Sequence, residues 1–248
     1  MIYRWRVPAA GETFAHFQLD TRVERPRVTV TETFLATDIE SGAAVMLEVL
    51  RAGVTGVEKA RFTTRARRLQ AVKHPYVLAV LETAPTHCVL EAPTNHVLEE
   101  HAGIAIARSR QKLLWLSQVA TAVAALHKGG MVHGALSLDE ITVSLDASVK
   151  VTVPVGGDVS GSPLDDIRAF AAAACDLILG AGAPAEDAKT LAERLHQAGA
   201  PLETAAVIAR IRTGSSMTSE DLAEKLAPFS DYAGPSTEPL LPIVPRRA

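Results

Sequence analysis

The sequence predicts an α+β chain in two parts, a small strand-rich lobe with one helix followed by a larger, mostly helical lobe. Up to residue 92 the apolar residues come in short β-branched runs cut by turn signals, whereas after Pro93 they recur at helical spacing. At 248 residues the chain can bury a sizeable interior, as one large domain or as two lobes sharing a core. Nearly half the residues are hydrophobic, aromatics are scarce and alanine fills much of the apolar share, so the helices are expected to pack closely through small side chains.

Each element has its own signal. Residues 28–37 are rich in β-branched side chains, residues 38–42 read as a turn, and residues 44–50 follow as the second arm of a hairpin. From Val57 the period changes. Phe62, Ala66, Leu69 and Val72 share one helical face with arginines opposite, and Pro75 ends the helix, because the residue before proline is pushed out of the α region. Residues 77–82 and 88–91 read as two short strands around Pro85. The strongest helix spans residues 111–127, with Leu113, Leu116, Val119, Ala120, Val123 and Leu126 on one stripe and Gly129-Gly130 as its stop. Residues 141–144 and 149–153 read as short strands around an Asp146-Ala147 turn. Helices follow near 164–179, 186–197, 202–212 and 219–226, the last opened by Thr218 with Asp221 three residues on. Four prolines between 235 and 245 predict an extended or disordered tail, read as a linker ahead of a polyproline ligand.

Several function classes are disfavoured. A formal charge of -3 gives no electrostatic footprint for nucleic acid. The cluster Arg61, Arg65, Arg67 and Arg68 reads as a solvated helix face ahead of an anion site. Cys88 and Cys175 sit in separate apolar stretches, so buried thiols are expected and no metal-ligand spacing exists. The most apolar window, residues 169–183, is too short for a bilayer and carries Asp176, and the N-terminus has no signal-peptide core. A cytoplasmic protein without a membrane span in this chain is the expectation.

Specific stretches then point to one family. Residues 45–51 (VMLEVLR) resemble the third strand of a protein kinase, usually VALKVLR. Residues 61–75 resemble the C-helix and the HPNIV motif after it. Leu126-His127 into residues 131–136 (MVHGAL) resembles the run into the catalytic loop, and residues 149–152 (VKVT) the approach to the metal-binding motif. Asp166-Ile167 with the apolar helix to Leu179-Gly180 resembles the F-helix, and residues 218–226 the last helix. Together they resemble a degenerate bacterial Hanks-type serine/threonine protein kinase domain. The resemblance implies an N-terminal extension over 1–16, a kinase-like N-lobe over 17–92, a C-lobe over 93–229 and a proline-rich tail or linker over 230–248.

The same resemblance implies lost chemistry. Phosphoryl transfer is catalysed by positioning and charge neutralisation, so a few charged groups carry it. The stretch aligned with the phosphate-covering loop, residues 23–31, contains no glycine. Glu48 aligns with the third-strand lysine and Arg65 with its C-helix glutamate. That is either a charge-swapped pair or an exposed glutamate and a surface arginine. An anion there would meet nucleotide phosphate at a cost of roughly 4 kcal/mol per contact at about 4 Å. Ala135 takes the catalytic-base position and cannot accept a proton. Ser137 and Glu140 take the lysine and metal-binding asparagine positions and have capping-box spacing. Val153 takes the metal-binding aspartate position, at the separation from Ala135 that the family keeps, and ligates nothing. Met46 lies where a small residue covers adenine, and either fills that space or packs the lobe. His133 and Asp166 are expected to be structural. The activation segment, residues 156–165, leaves no room for a peptide platform.

The resulting expectation is a catalytically inactive pseudokinase, without cofactor or metal, acting as a protein-binding scaffold or regulatory module in bacterial signalling or cell-envelope control. The alternative is a nucleotide-binding switch or a kinase-fold enzyme with altered nucleotide chemistry. A phosphothreonine-reading or kinase-signalling protein is the partner class implied, with Thr29, Thr31, Thr33, Thr63 and Thr64 as candidate acceptors.

Overall fold

In the computed structural model, which describes residues 9–25, 30–93, 97–98, 109–144, 148–157, 161–182 and 186–233, the first part of the chain forms one antiparallel sheet. Its strands are β1 (Thr13–Phe14), β2 (Phe17–Val23), β3 (Thr31–Asp38), β4 (Ala44–Leu50), β5 (Val80–Thr83) and β6 (His87–Glu91). They lie in the order β1-β2-β3-β4-β6-β5. The expected hairpin is β3 with β4, in the register Thr33↔Glu48 and Leu35↔Met46. Strands β1 and β2 were not expected, although Phe17, Leu19 and Val23 of β2 alternate with polar residues, and β1 lies within the stretch expected to be an extension.

Strand periodicity decides where Glu48 goes. Side chains alternate across a sheet, and β4 is buried on both faces. Val45, Leu47 and Val49 pack with Phe17, Leu19 and Phe34 in a cluster on one face, while Met46 and Leu50 join the main core on the other. Glu48 falls between those last two and is therefore driven inward, with no exposed surface. Helix α1 (Gly56–Ala71) is opened by a capping box between Thr55 and Glu58 and lays Phe62, Ala66 and Leu69 against the sheet.

The helical part follows. Helix α2 (Ser109–Lys128) runs through its centre, buried along most of its length, and stops at Gly129 and Gly130, the latter at φ 67°. Strands β7 (Ile141–Val143) and β8 (Val149–Val151) form a separate hairpin. Its intended turn at Asp146-Ala147 lies outside the described residues. Helix α3 (Pro163–Leu179) begins with Ser162 and Asp165 in a capping box and Pro163 in its first turn. Helices α4 (Ala188–Gln197), α5 (Leu202–Arg212) and α6 (Ser219–Leu226) complete it, with Thr218 capping α6 as the spacing predicts. The main core is continuous from Met46 and Leu90 through Leu116 and Val123 to Phe170 and Ile208. Lys150 adds a polar tie, its Nζ donating to both carboxylate oxygens of Glu91 at 2.6 Å.

Cys88 and Cys175 are free and buried. Burial pushes the Cys175 thiol up to about 11 and the Cys88 thiol further still. Among the described residues no helix is long and apolar enough to cross a membrane. Of the tail expected over 230–248, residues 230–233 end a 3-10 helix (Ala227–Ala233), and the rest lies outside the described residues.

Candidate functional site

The residues singled out by sequence converge in the cleft between the sheet and the helical part. Glu48 arrives from β4. Arg65 arrives from α1, one residue before the buried Ala66. His133 to Glu140 form the loop after α2, ending in a single 3-10 turn, Leu138–Glu140. Val153 to Gly156 follow β8. Asp166, from the first turn of α3, holds the loop in place.

Glu48 is paired neither to Arg65 nor to solvent, so both readings of the aligned positions are corrected. One of its oxygens accepts from Arg25 Nη1 at 3.1 Å and from the Val155 amide at 3.2 Å. The other accepts from Thr31 Oγ1 at 3.2 Å and the Gly156 amide at 2.9 Å. Arg25 then uses its second terminal nitrogen to bind the Glu140 carboxylate. The side chains of Arg25, Glu48 and Glu140 keep only 7%, 0% and 11% of their surface exposed, so one guanidinium joins two carboxylates in a nearly dry site. Burial pushes the Glu140 carboxyl up, Arg25 pulls it down, and Glu48 and Asp139 push it up again.

Arg65 takes a different pair of partners. Its Nε donates to the Pro154 carbonyl at 2.9 Å and its Nη2 to the His133 carbonyl at 3.0 Å. The guanidinium thus pins α1 to the two loops of the helical part. A carbonyl oxygen is an adequate acceptor for a charged donor, and the spacing of Arg65 from the apolar face of α1 fixes which carbonyls it reaches. The other arginines of the cluster, Arg61, Arg67 and Arg68, are exposed.

His133 is buried and its ring is fully used. Nδ1 accepts from the Ala135 amide at 3.2 Å, so Nε2 carries the proton and donates to the Thr152 carbonyl at 3.0 Å. Burial, opposed by Asp166, lowers its pKa to about 4. Asp166 is buried as well. Burial alone would raise its carboxyl, but His127 and the amides of Gly134 and His133 outweigh that and hold it below the usual carboxylate range. The distances are 2.9 Å to His127 Nε2, 2.7 Å from the His133 amide and 2.8 Å from the Gly134 amide. Both residues organise backbone.

The remaining positions are apolar or redirected. Ala135, Val153 and Met46 are buried hydrophobics, Met46 within the main core. Ser137 stands at the start of the 3-10 turn but its hydroxyl makes no capping bond: the Glu140 amide donates to the Ser137 carbonyl at 3.2 Å, and the Glu140 carboxylate is drawn to Arg25. The capping expectation for this pair is therefore corrected. Gly156 is packed against β3. A Cβ there would lie 2.1 Å from Thr31 Oγ1, so the chain after β8 can approach the sheet only with glycine. Of the candidate phosphoacceptors, Thr31 and Thr33 are buried, Thr64 is exposed, and Thr29 lies outside the described residues. No group of three metal-ligating side chains occurs among the described residues.

Arg25 is the residue that sequence reading passed over. It stands in the glycine-free stretch already noted, whose residues 26–29 lie outside the described set. The signal was charge bookkeeping. Two carboxylates at cleft positions, Glu48 and Glu140, require a cation besides Arg65.

No protein-family model and no curated protein matches the chain. Solved structures do. The kinase domain of Mycobacterium tuberculosis PknI superposes with a TM-score of 0.67 at 14% identity, covering 90% of this chain and 99% of that one. A doubly substituted variant of that domain gives a TM-score of 0.68 at 17% identity, over 90% of this chain and 100% of the other. At this identity the likeness establishes the fold: a two-lobed, protein-kinase-like α+β architecture.

Proposed function

Starting from the protein-kinase-like fold, we propose that this chain is a catalytically inactive pseudokinase that works by binding proteins, as a scaffold or regulatory module in bacterial signalling or cell-envelope control. The observation that carries the reading is the Arg25 bridge. A kinase-type nucleotide needs a cation from the third strand, a carboxylate for its metal and a glycine turn around its phosphates. At the aligned positions stand the carboxylate Glu48, the apolar Val153 and a stretch whose Arg25 side chain reaches into the cleft. The residues present do not fit a magnesium–triphosphate complex. Glu140, the nearest substitute for a metal-binding asparagine, is already paired with Arg25.

Retention of the backbone-holding groups supports a binding role. His133 and Asp166 keep the loop ordered with no base at Ala135 for the loop to present, and Arg65 joins α1 to that loop. Such a fold offers a stable surface whose chemistry is recognition. The partner class remains a protein of kinase signalling, including one that reads phosphothreonine, with Thr64 the exposed acceptor on α1. A cytoplasmic location belongs to the same proposal.

The test combines two assays on the full chain. Thermal-shift and calorimetric titrations with ATP and ADP, with and without magnesium, are expected to show no saturable binding. Mass spectrometry of chain and candidate substrates after incubation with ATP is expected to show neither phosphate nor nucleotide transfer. Saturable binding without transfer would replace the scaffold by a nucleotide switch, and transfer would make the chain an enzyme.

A further inference from the structure

We propose that the cleft is a site for a guanidinium group, with Arg25 as its tethered occupant, and that the ligand it takes when Arg25 leaves is an arginine side chain of a protein partner. The inference rests on the pseudokinase reading and names the chemistry of the same cleft.

Three features make this a built site. The two carboxylates come from different lobes, Glu48 from the sheet and Glu140 from the loop after α2, and the cation comes from a third segment beyond β2. None of the three is held next to another by local sequence, so their meeting depends on closure of the whole fold. Next, Glu48 is fixed without Arg25. The amides of Val155 and Gly156 and the Thr31 hydroxyl all donate to it, so the carboxylate keeps its position when the guanidinium is gone. A receptor ordered in advance loses less on binding. Finally, the two acceptors are engaged by different terminal nitrogens of one planar group. That fork suits guanidinium, whereas an ammonium is a single point charge.

The charge balance sets the ligand class. With Arg25 removed, Glu48 and Glu140 face each other with Asp139 close enough to act on Glu140. The other cation of the cleft, Arg65, has its donors on the carbonyls of Pro154 and His133 and acts on Glu48 and Asp166 only through space, leaving the carboxylates in excess. The emptied site is therefore anionic, repels phosphate and calls for one cation with several donors. This is the opposite polarity to a nucleotide cleft.

Replacing Arg25 in the full chain tests this by chemical rescue. Arg25→Ala and Arg25→Ser are melted in increasing methylguanidinium chloride, with sodium chloride making up constant ionic strength. Saturable stabilisation of both variants is expected. At ten times the dissociation constant the folded-to-unfolded ratio should rise about elevenfold. The wild type, its site filled, should show no saturable rise, and adding Glu140→Gln to Arg25→Ala should abolish most of the effect. Absence of a saturable rise in a folded variant overturns the proposal. So does failure of both variants to fold in saturating methylguanidinium, since Glu48 retains its other three donors. A nucleotide that binds the wild type would sink the scaffold reading, whereas missing rescue with nucleotide still excluded sinks only this inference.

Discussion

A double-mutant cycle distinguishes the ion pair that the structure contains from the one that alignment suggests. The perturbations are Glu48→Gln, Arg25→Met and Arg65→Met, alone and in pairs. Arg25 Nη1 lies 3.1 Å from Glu48, and their side chains are 7% and 0% exposed. Breaking a pair this buried from one side costs about 3–5 kcal/mol, much of it from the charge left behind. Glu48→Gln should fall at or below the low end of that range, because Arg25 keeps Glu140. Removing both partners leaves less uncompensated charge than the single changes summed, so the Arg25–Glu48 coupling should be at least about 2 kcal/mol. Arg65→Met loses two charge-assisted bonds to carbonyls, worth about 1.5–3 kcal/mol each. None of those atoms belongs to Glu48, and the Arg65–Glu48 coupling should stay below about 1 kcal/mol. Urea unfolding with matched m-values measures every corner of the cycle. An Arg65–Glu48 coupling as large as that of Arg25–Glu48 would refute the geometry. By the same reasoning, exchanging Glu48→Lys with Arg65→Glu should be strongly destabilising. The exchange sets an ammonium against two amides and Arg25, and a carboxylate against two carbonyls.

Other outcomes follow from the cleft. His133 has its pKa lowered from 6.5 to about 4, so the folded state disfavours its proton; the stability this represents, about 3 kcal/mol, is present above pH 6.5 and lost as pH falls towards 4. Half-buried His74 and buried His87 shift the same way, whereas the raised Glu140 acts in the opposite sense. Melting temperatures from pH 7 to 4.5 should fall, and the fall should shrink in His133→Phe; an unchanged slope would contradict a neutral His133. Gly156→Ala drives a methyl into Thr31 and should cost about 1–3 kcal/mol by chemical unfolding, so a neutral result would show that β3 and the chain after β8 are not in contact. Asp166→Ala strips the His133 and Gly134 amides of their acceptor and should cost a few kcal/mol, with amide exchange increasing first in residues 133–136.

Much of the fold was legible because its signals are local. The helical stripes, the glycine stop after α2 and the cap of α6 each depend on residues a few positions apart, and the corresponding elements form close to the expected bounds. Strand β1 is only two residues long and is defined by its pairing with β2, whereas β2 does carry a signal that sequence reading missed, since Phe17, Leu19 and Val23 alternate with Gln18, Asp20 and Arg22. In the cleft, motif spacing brought the right positions together: Glu48, Arg65, His133, Glu140, Val153 and Asp166 do line one region. Their partners were less readable. Arg65 and Glu48 have opposite charges and aligned positions, yet side-chain direction and burial assign one to carbonyls and the other to Arg25. Arg25 lies 115 residues from Glu140 in sequence, and no local pattern announces such a contact.

Calorimetric titration of the wild-type chain with magnesium ATP tests the central claim most directly. A cleft whose polarity is set by Glu48 and Glu140 and whose space is taken by Arg25 should give no heat beyond dilution. A saturable isotherm, lost on mutating cleft residues, would contradict the account.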